Sequence, residues 1–185
     1  MLFKELVIIN NEKIFKENET FYCNNLDLKI IPEGLNDLHK VQYIVRSSNK
    51  KGDQKINLKN IKVASNIIKF LYFVLKTFKN RDVTYLLVCI TPYTFFSFLF
   101  LFLFRKRVFV YLFSSGHEEY RHILGRWFVW IYHVMFIIVT SNSKVIVCHE
   151  RLYKKKKSHL VQISRLDNEW LKDHKVAPLD KIRLL

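Results

Sequence analysis

Ionisable residues crowd the stretch SSGHEEYRH, residues 114–122, directly behind the apolar run VFVYLF of residues 108–113. Ser114, Ser115 and Gly116 end that β-branched and aromatic run, and His117, Glu118, Glu119, Tyr120, Arg121 and His122 follow at once. An imidazole beside two carboxylates can accept hydrogen bonds from hydroxyl groups, and a carboxylate with a shifted pKa serves as a general base. Where small residues open a helix, its free N–H groups and dipole also favour an anionic ligand. Acids in a first helical turn stabilise the helix by about 0.3–1 kcal/mol by themselves. Capping therefore stands beside substrate contact as a reading of Glu118. Arg121 and His122, one step further in, are expected to support such a site rather than touch a ligand. Arg46 and Ser47 end an earlier β-like run (KVQYIVRS, residues 40–47) and are candidates for the same ligand, with a solvated loop as the alternative.

The elements that must carry these groups follow from periodicity. Residues 2–10 (LFKELVIIN) form a short β-like run, and residues 15–25 read as a strand turning back on itself through Glu17-Asn18. Pro32 and Gly34 predict a loop or a single helical turn over residues 28–37. Residues 65–79 predict a helix capped by Ser65, with Ile68, Leu71, Phe73 and Leu75 on its apolar face. The uncharged run VTYLLVCI, residues 83–90, predicts a strand covered on both faces. Pro92 sits where a helix would start, and residues 93–104 are intensely apolar. One long helix is expected over residues 117–142, then a buried strand at residues 145–149 and a short helix near residues 166–174. From residue 41 onward strands and helices alternate. That order predicts an α/β fold with a doubly wound, mostly parallel sheet and flanking helices.

Composition narrows the class. Lys and Arg number 31 against 16 Asp and Glu, a net charge of +15, which favours an anionic partner. Nucleic acid is disfavoured because the basic runs are dispersed and the aromatics lie in apolar rather than basic context. The three cysteines, Cys23, Cys89 and Cys148, are far apart and form no CxxC, so reduced thiols in a cytoplasmic protein are expected. The seven histidines are scattered and give no metal-ligand spacing.

Residues 85–104 carry no formal charge over a length that spans a bilayer, and residues 127–142 form a second apolar stretch. Two spans in a small non-catalytic membrane protein are thus one reading. The other is a peripheral protein at the inner face of the cell membrane. There the Phe-rich helix, through Phe98 and Phe102, dips into the interface while Arg105, Lys106 and Arg107 meet lipid phosphates. Lys154 to Lys157 form a second basic run, read as a solvated loop or a further lipid contact.

In order and spacing, RVFVYLFSS, GHEEYRHILG, a long helix, SNSKVIVCHERL and ISRLDNEWLKDHKVAPLDKIRLL resemble the N-terminal half of a GT-B glycosyltransferase. The likeness is to bacterial family 4 enzymes that build cell-surface or lipid-linked glycans. It covers most of the chain from about residue 83. SKVIVC, residues 143–148, holds the place of the last strand of the first domain, and Ser164, Leu166 and Trp170 match a segment of the form S-x-L-x-x-x-W. The glycine pair that many relatives place after the first strand is replaced by Asn10, Asn11 and Glu12. The resemblance implies a Rossmann-like acceptor domain over residues 1–175, with residues 176–185 leading into a second domain. That second domain, absent from this sequence or separately encoded, would hold the nucleotide-diphosphate sugar, and no cofactor is needed. The resemblance also turns the 114–120 loop toward an interdomain cleft. His117 would then contact the transferred sugar and Glu119 would share the catalytic role. Ser114, Ser115, Gly116, Glu118, Tyr120, Arg46 and Ser47 would bind substrate, a glycan or lipid-linked acceptor.

Overall fold

The computed structural model describes residues 5–80, 82–153 and 158–161. The expected helix at residues 166–174, the Lys154 to Lys157 run, the S-x-L-x-x-x-W segment and the interdomain linker lie outside the described residues. The elements run β1 (Glu5–Glu17), β2 (Thr20–Cys23), α1 (Asp27–Asn36), β3 (Lys40–Ser47), β4 (Gln54–Ile56), β5 (Ile61–Ala64) and α2 (Ile67–Lys76). They continue with β6 (Val83–Val88), α3 (Pro92–Leu103), β7 (Arg107–Leu112), α4 (Gly116–Leu124), α5 (Arg126–Ser141), β8 (Lys144–Val147) and β9 (Ser158–Leu160).

Seven strands pair in parallel in the order β5-β3-β1-β6-β7-β8-β9. Antiparallel β2 and β4 extend the far half of β1. The result is a mixed α/β structure with a mostly parallel central sheet and flanking helices, compatible with the Rossmann-like expectation. Strand order reverses between β1 and β6. From β1 the chain steps outward through β3 and β5, then returns to place β6 on the other side of β1. Residues 6–9 alternate between the two faces. Val7 and Ile9 pack with α2, α3 and α5, whereas Leu6 and Ile8 pack with α1 and β2. All six residues of β6 are buried, as its uncharged sequence predicts for a strand covered on both sides.

Several expectations need correction. Residues 27–36 form a ten-residue helix despite Pro32. An interior proline costs about 3 kcal/mol, but Leu28 and Pro32 are buried and Ile31 and Leu35 pack on the same core, which offsets it. In α2 the capping residue is Asn66, whose side chain accepts the Lys69 N–H, rather than Ser65. Its core face is Phe70 and Val74, while Ile68 and Leu75 point outward. The long helix predicted over residues 117–142 is two helices broken at Gly125, whose φ of 91° lies outside the helical region. The short strands β4 and β5 were not foreseen in the sequence.

The two-span alternative also fails among the described residues, where no helix is long and apolar enough to cross a membrane. The uncharged stretch divides into strand β6 and the twelve-residue α3, and α5 has sixteen residues. At 1.5 Å per residue, helices of these lengths reach roughly 18 and 24 Å, short of a hydrocarbon core of about 30 Å.

Candidate functional site at the carboxyl ends of the strands

The carboxyl ends of β1, β3, β6 and β7 all point to one edge of the sheet, and in open α/β sheets ligands bind at that edge, beside the reversal of strand order. β1 delivers Asn10 and Asn11 there. Asn10 is buried, its Nδ2 donates to Tyr43 Oη at 3.1 Å, and its Oδ1 accepts the Glu12 N–H. The side chain thus closes a turn where β1 shifts register against β3, between Ile9 and Lys13. A glycine would lose both bonds, which is a physical reason for asparagine at this point.

β3 delivers Arg46. Its guanidinium lies 4.4 Å from the centre of the Tyr93 ring, and Nη1 donates to Asn11 Oδ1 at 3.3 Å. Tyr93 opens α3 just after β6, and its ring meets Phe70 of α2 edge-on at 5.2 Å. The α3 start is fixed by Thr91 and Thr94, which form a capping box, with Thr94 Oγ1 also donating to the Cys89 carbonyl. Arg46 and Ser47 line an open polar cavity of about 640 Å³ with Lys13, Lys50, Glu12 and several Asn and Ser residues. Three cations against one acid suit an anionic group among hydroxyls.

β7 delivers residues 113–115, and α4 begins at Gly116. A Cβ at Gly116 would overlap the Tyr132 ring of α5, so the absence of a side chain lets the two helices close. His117 Nε2 lies 3.2 Å from His133 Nδ1, and its ring contacts Tyr132 and Phe136 edge-on at 4.7 and 5.2 Å. Burial, then the neighbouring His133, holds the His117 pKa below its ordinary value, which favours the neutral ring. One ring nitrogen of the pair must donate to the other, so the two tautomers are linked.

Glu119 is exposed, yet its charge helps raise the pKa of Cys89, Tyr120 and Tyr132, in each case after burial as the larger cause. It lies in the first turn of α4, which follows the end of β7. Glu118 is exposed in the first turn, its N–H bonded to the Ser115 carbonyl. The Tyr120 ring lies tilted against that of Tyr132, with 4.8 Å between ring centres. Ser114 Oγ makes a long contact of 3.9 Å to Cys89 Sγ, and Ser115 gives α4 no side-chain cap. Cys89 itself holds φ 59°, and burial pushes its thiol up to about 11, so it is a poor nucleophile at neutral pH.

The sequence-derived residues thus fall into two groups on one edge. Arg46 and Ser47 belong to the polar cavity, and residues 114–120 to the aromatic-walled corner between α4 and α5. β3 and β7 are three strand spacings apart, roughly 14 Å. Asn11, Tyr93, His133 and Phe136 were missed as functional candidates. Their only signals were tertiary, because each acts through a partner at least sixteen residues away. Among the described residues no group of three or more His, Cys, Asp or Glu is gathered as a metal site would require. All three cysteines are free.

Of the lipid-contact candidates, Phe98 is overturned. It is 0 % exposed, inside the core cluster with Leu101, and stacks on Phe102 from below. Phe102 is 52 % exposed. Arg105 and Arg107 are exposed, but Lys106 turns back so that Nζ donates to the Phe78 carbonyl and lies over the Phe78 ring.

No family model, curated protein or solved structure matches the chain.

Proposed function

We propose that this chain is the acceptor-binding, Rossmann-like half of a membrane-associated glycosyltransferase. A nucleotide-diphosphate sugar, held mainly by a second domain, would give its hexose to a glycan or lipid-linked acceptor. The observation that carries the reading is the reversal of strand order between β1 and β6, with polar groups of two kinds at the adjoining strand ends. Arg46, with Lys13 and Lys50 around the cavity, meets the acceptor's phosphate. His117 and Glu119, across the edge, meet the sugar being moved.

The chemistry is the formation of a bond between the acceptor hydroxyl oxygen and the anomeric carbon while the bond from that carbon to the diphosphate breaks. The hydroxyl proton leaves to a base, and the diphosphate departs as an anion. Glu119 is the acid-base candidate because it lies in the first turn of α4, just past the end of β7. His117, neutral at pH 7, orients sugar hydroxyls through the nitrogen it does not share with His133. The lengths of α3 and α5 count against a two-span, non-catalytic protein as the rival reading.

Membranes of the native host producing the chain, given radiolabelled nucleotide-diphosphate hexoses, should incorporate label into lipid-extractable or glycan material. Replacement by His117→Ala should cut that incorporation by about 100-fold, in the range of a lost positioned catalytic group. Equal incorporation with both forms would sink the reading.

A further inference from the structure

The outward faces of α2, α3 and α5 are apolar to a degree that a water-facing surface does not require. These helices cover one side of the sheet, with α3 packed between the other two. Ile68, Tyr72 and Leu75 of α2 are exposed, as are Phe96, Leu99, Phe102 and Leu103 of α3. At the α4–α5 corner the effect is strongest. Ile123 and Leu124 precede Gly125, and Trp127 and Trp130 follow it at 90 % and 70 % exposure. Scattered exposed apolar residues are normal, but their concentration on three neighbouring helices points to a binding surface.

Charge selects the occupant. None of α2, α3 and α5 contains an Asp or Glu. The cations beside the patch are exposed: Lys69 and Lys76 on α2, Arg105 and Arg107 beyond α3, Arg121 and Arg126 at the corner. The acids of α4, Glu118 and Glu119, lie in its first turn at the site end, away from Gly125. A second copy of the chain would bring these cations against one another. An anionic lipid surface satisfies both parts, taking the apolar side chains into its acyl boundary and the cations at its phosphates. Tryptophan is the residue most suited to that boundary.

We propose that the outward face of α2, α3 and the α4–α5 corner docks on an anionic lipid bilayer, with Trp127 and Trp130 entering it. The break at Gly125 presents Ile123 and Leu124 on one side and the tryptophans on the other, so the corner acts as a wedge. This differs from insertion of α3 through Phe98, which the core retains. It rests only on the membrane association in the reading above and not on the transfer chemistry. Vesicle binding without label incorporation would separate the two.

The test is co-sedimentation of the full chain with phosphatidylcholine vesicles prepared with and without phosphatidylglycerol. The chain should pellet with the anionic vesicles and far less with the neutral ones, and added salt should release it. Trp127→Asp with Trp130→Asp should lower binding at least about tenfold. Both residues are exposed, so unchanged far-UV circular dichroism is expected. As a second reading, single-tryptophan forms retaining Trp127 or Trp130 should be quenched by brominated lipid. Failure to bind anionic vesicles, or binding indifferent to the double substitution, overturns the proposal. So does concentration-dependent self-association abolished by the same substitution in a chain that ignores vesicles, which would assign the face to a second copy.

Discussion

His117 is the residue on which the candidate site turns, and its environment makes a statement about pH. Burial and His133 disfavour its proton in the folded chain, so the unfolded chain binds more protons below the ordinary value of 6.5. Stability from this group is fully present above pH 6.5 and is lost as pH falls through the folded pKa. Denaturant midpoints measured from pH 7.5 to about 5 should therefore decline, and His117→Gln should flatten the acid side of that profile. Gly116, one residue earlier, has a different task. Gly116→Ala forces a methyl group into the Tyr132 ring and should destabilise the chain by about 1–3 kcal/mol in equilibrium unfolding. The ionisable cluster at residues 117–119 was visible in the sequence because a β-like run ended there. The pairing of His117 with His133 was not, since only the return of α5 across α4 brings the rings together.

At the scale of elements, capping and burial separate residues that look alike in sequence. Asn66→Ala removes the acceptor for the Lys69 N–H and should cost about 1 kcal/mol, whereas Ser65→Ala should lie within about 0.5 kcal/mol of the parent. Phe98→Ala empties a fully buried site and should cost about 3–5 kcal/mol, against about 1 kcal/mol or less for Phe102→Ala. Chemical denaturation of the four variants checks both pairs. Strand β6 was legible because six apolar or β-branched residues with no charge permit little else. The strands β4 and β5 were not, being three and four residues long, with a lysine in each and nothing local to mark a period. α1 was hidden by Pro32 and Gly34, whose local cost is outweighed by a core that only the folded chain assembles. Gly125 was the reverse case. A helix pattern continued through it on both sides, and its backbone freedom, invisible to periodicity, set the break.

For the whole molecule, the parallel sheet with its order reversed at β1 and β6 gathers the polar strand ends on one edge, while the helices on one face offer an apolar, acid-free surface. A peripheral protein standing on a bilayer by that surface would keep the sheet edge open to a lipid-linked substrate beside it. The alternation of strands and helices carried the layered architecture in the sequence. What the sequence did not carry was the division of the edge into an Arg46 cavity and a His117 corner, because that depends on which strands become neighbours. The central claim is that the acceptor, its phosphate held at Arg46, reaches across the edge so that its saccharide lies beside the His117 corner, where the transferred sugar is received. Its most direct test is a titration of the full chain with an octyl-phosphate-linked disaccharide, following the imidazole resonances of His117 and His133 by NMR. The account predicts saturable shifts of both imidazoles, with affinity lowered about tenfold by Arg46→Ala, although Arg46 is strands away from the rings. Imidazole resonances that stay fixed at saturating saccharide, or shifts indifferent to Arg46→Ala, would contradict it.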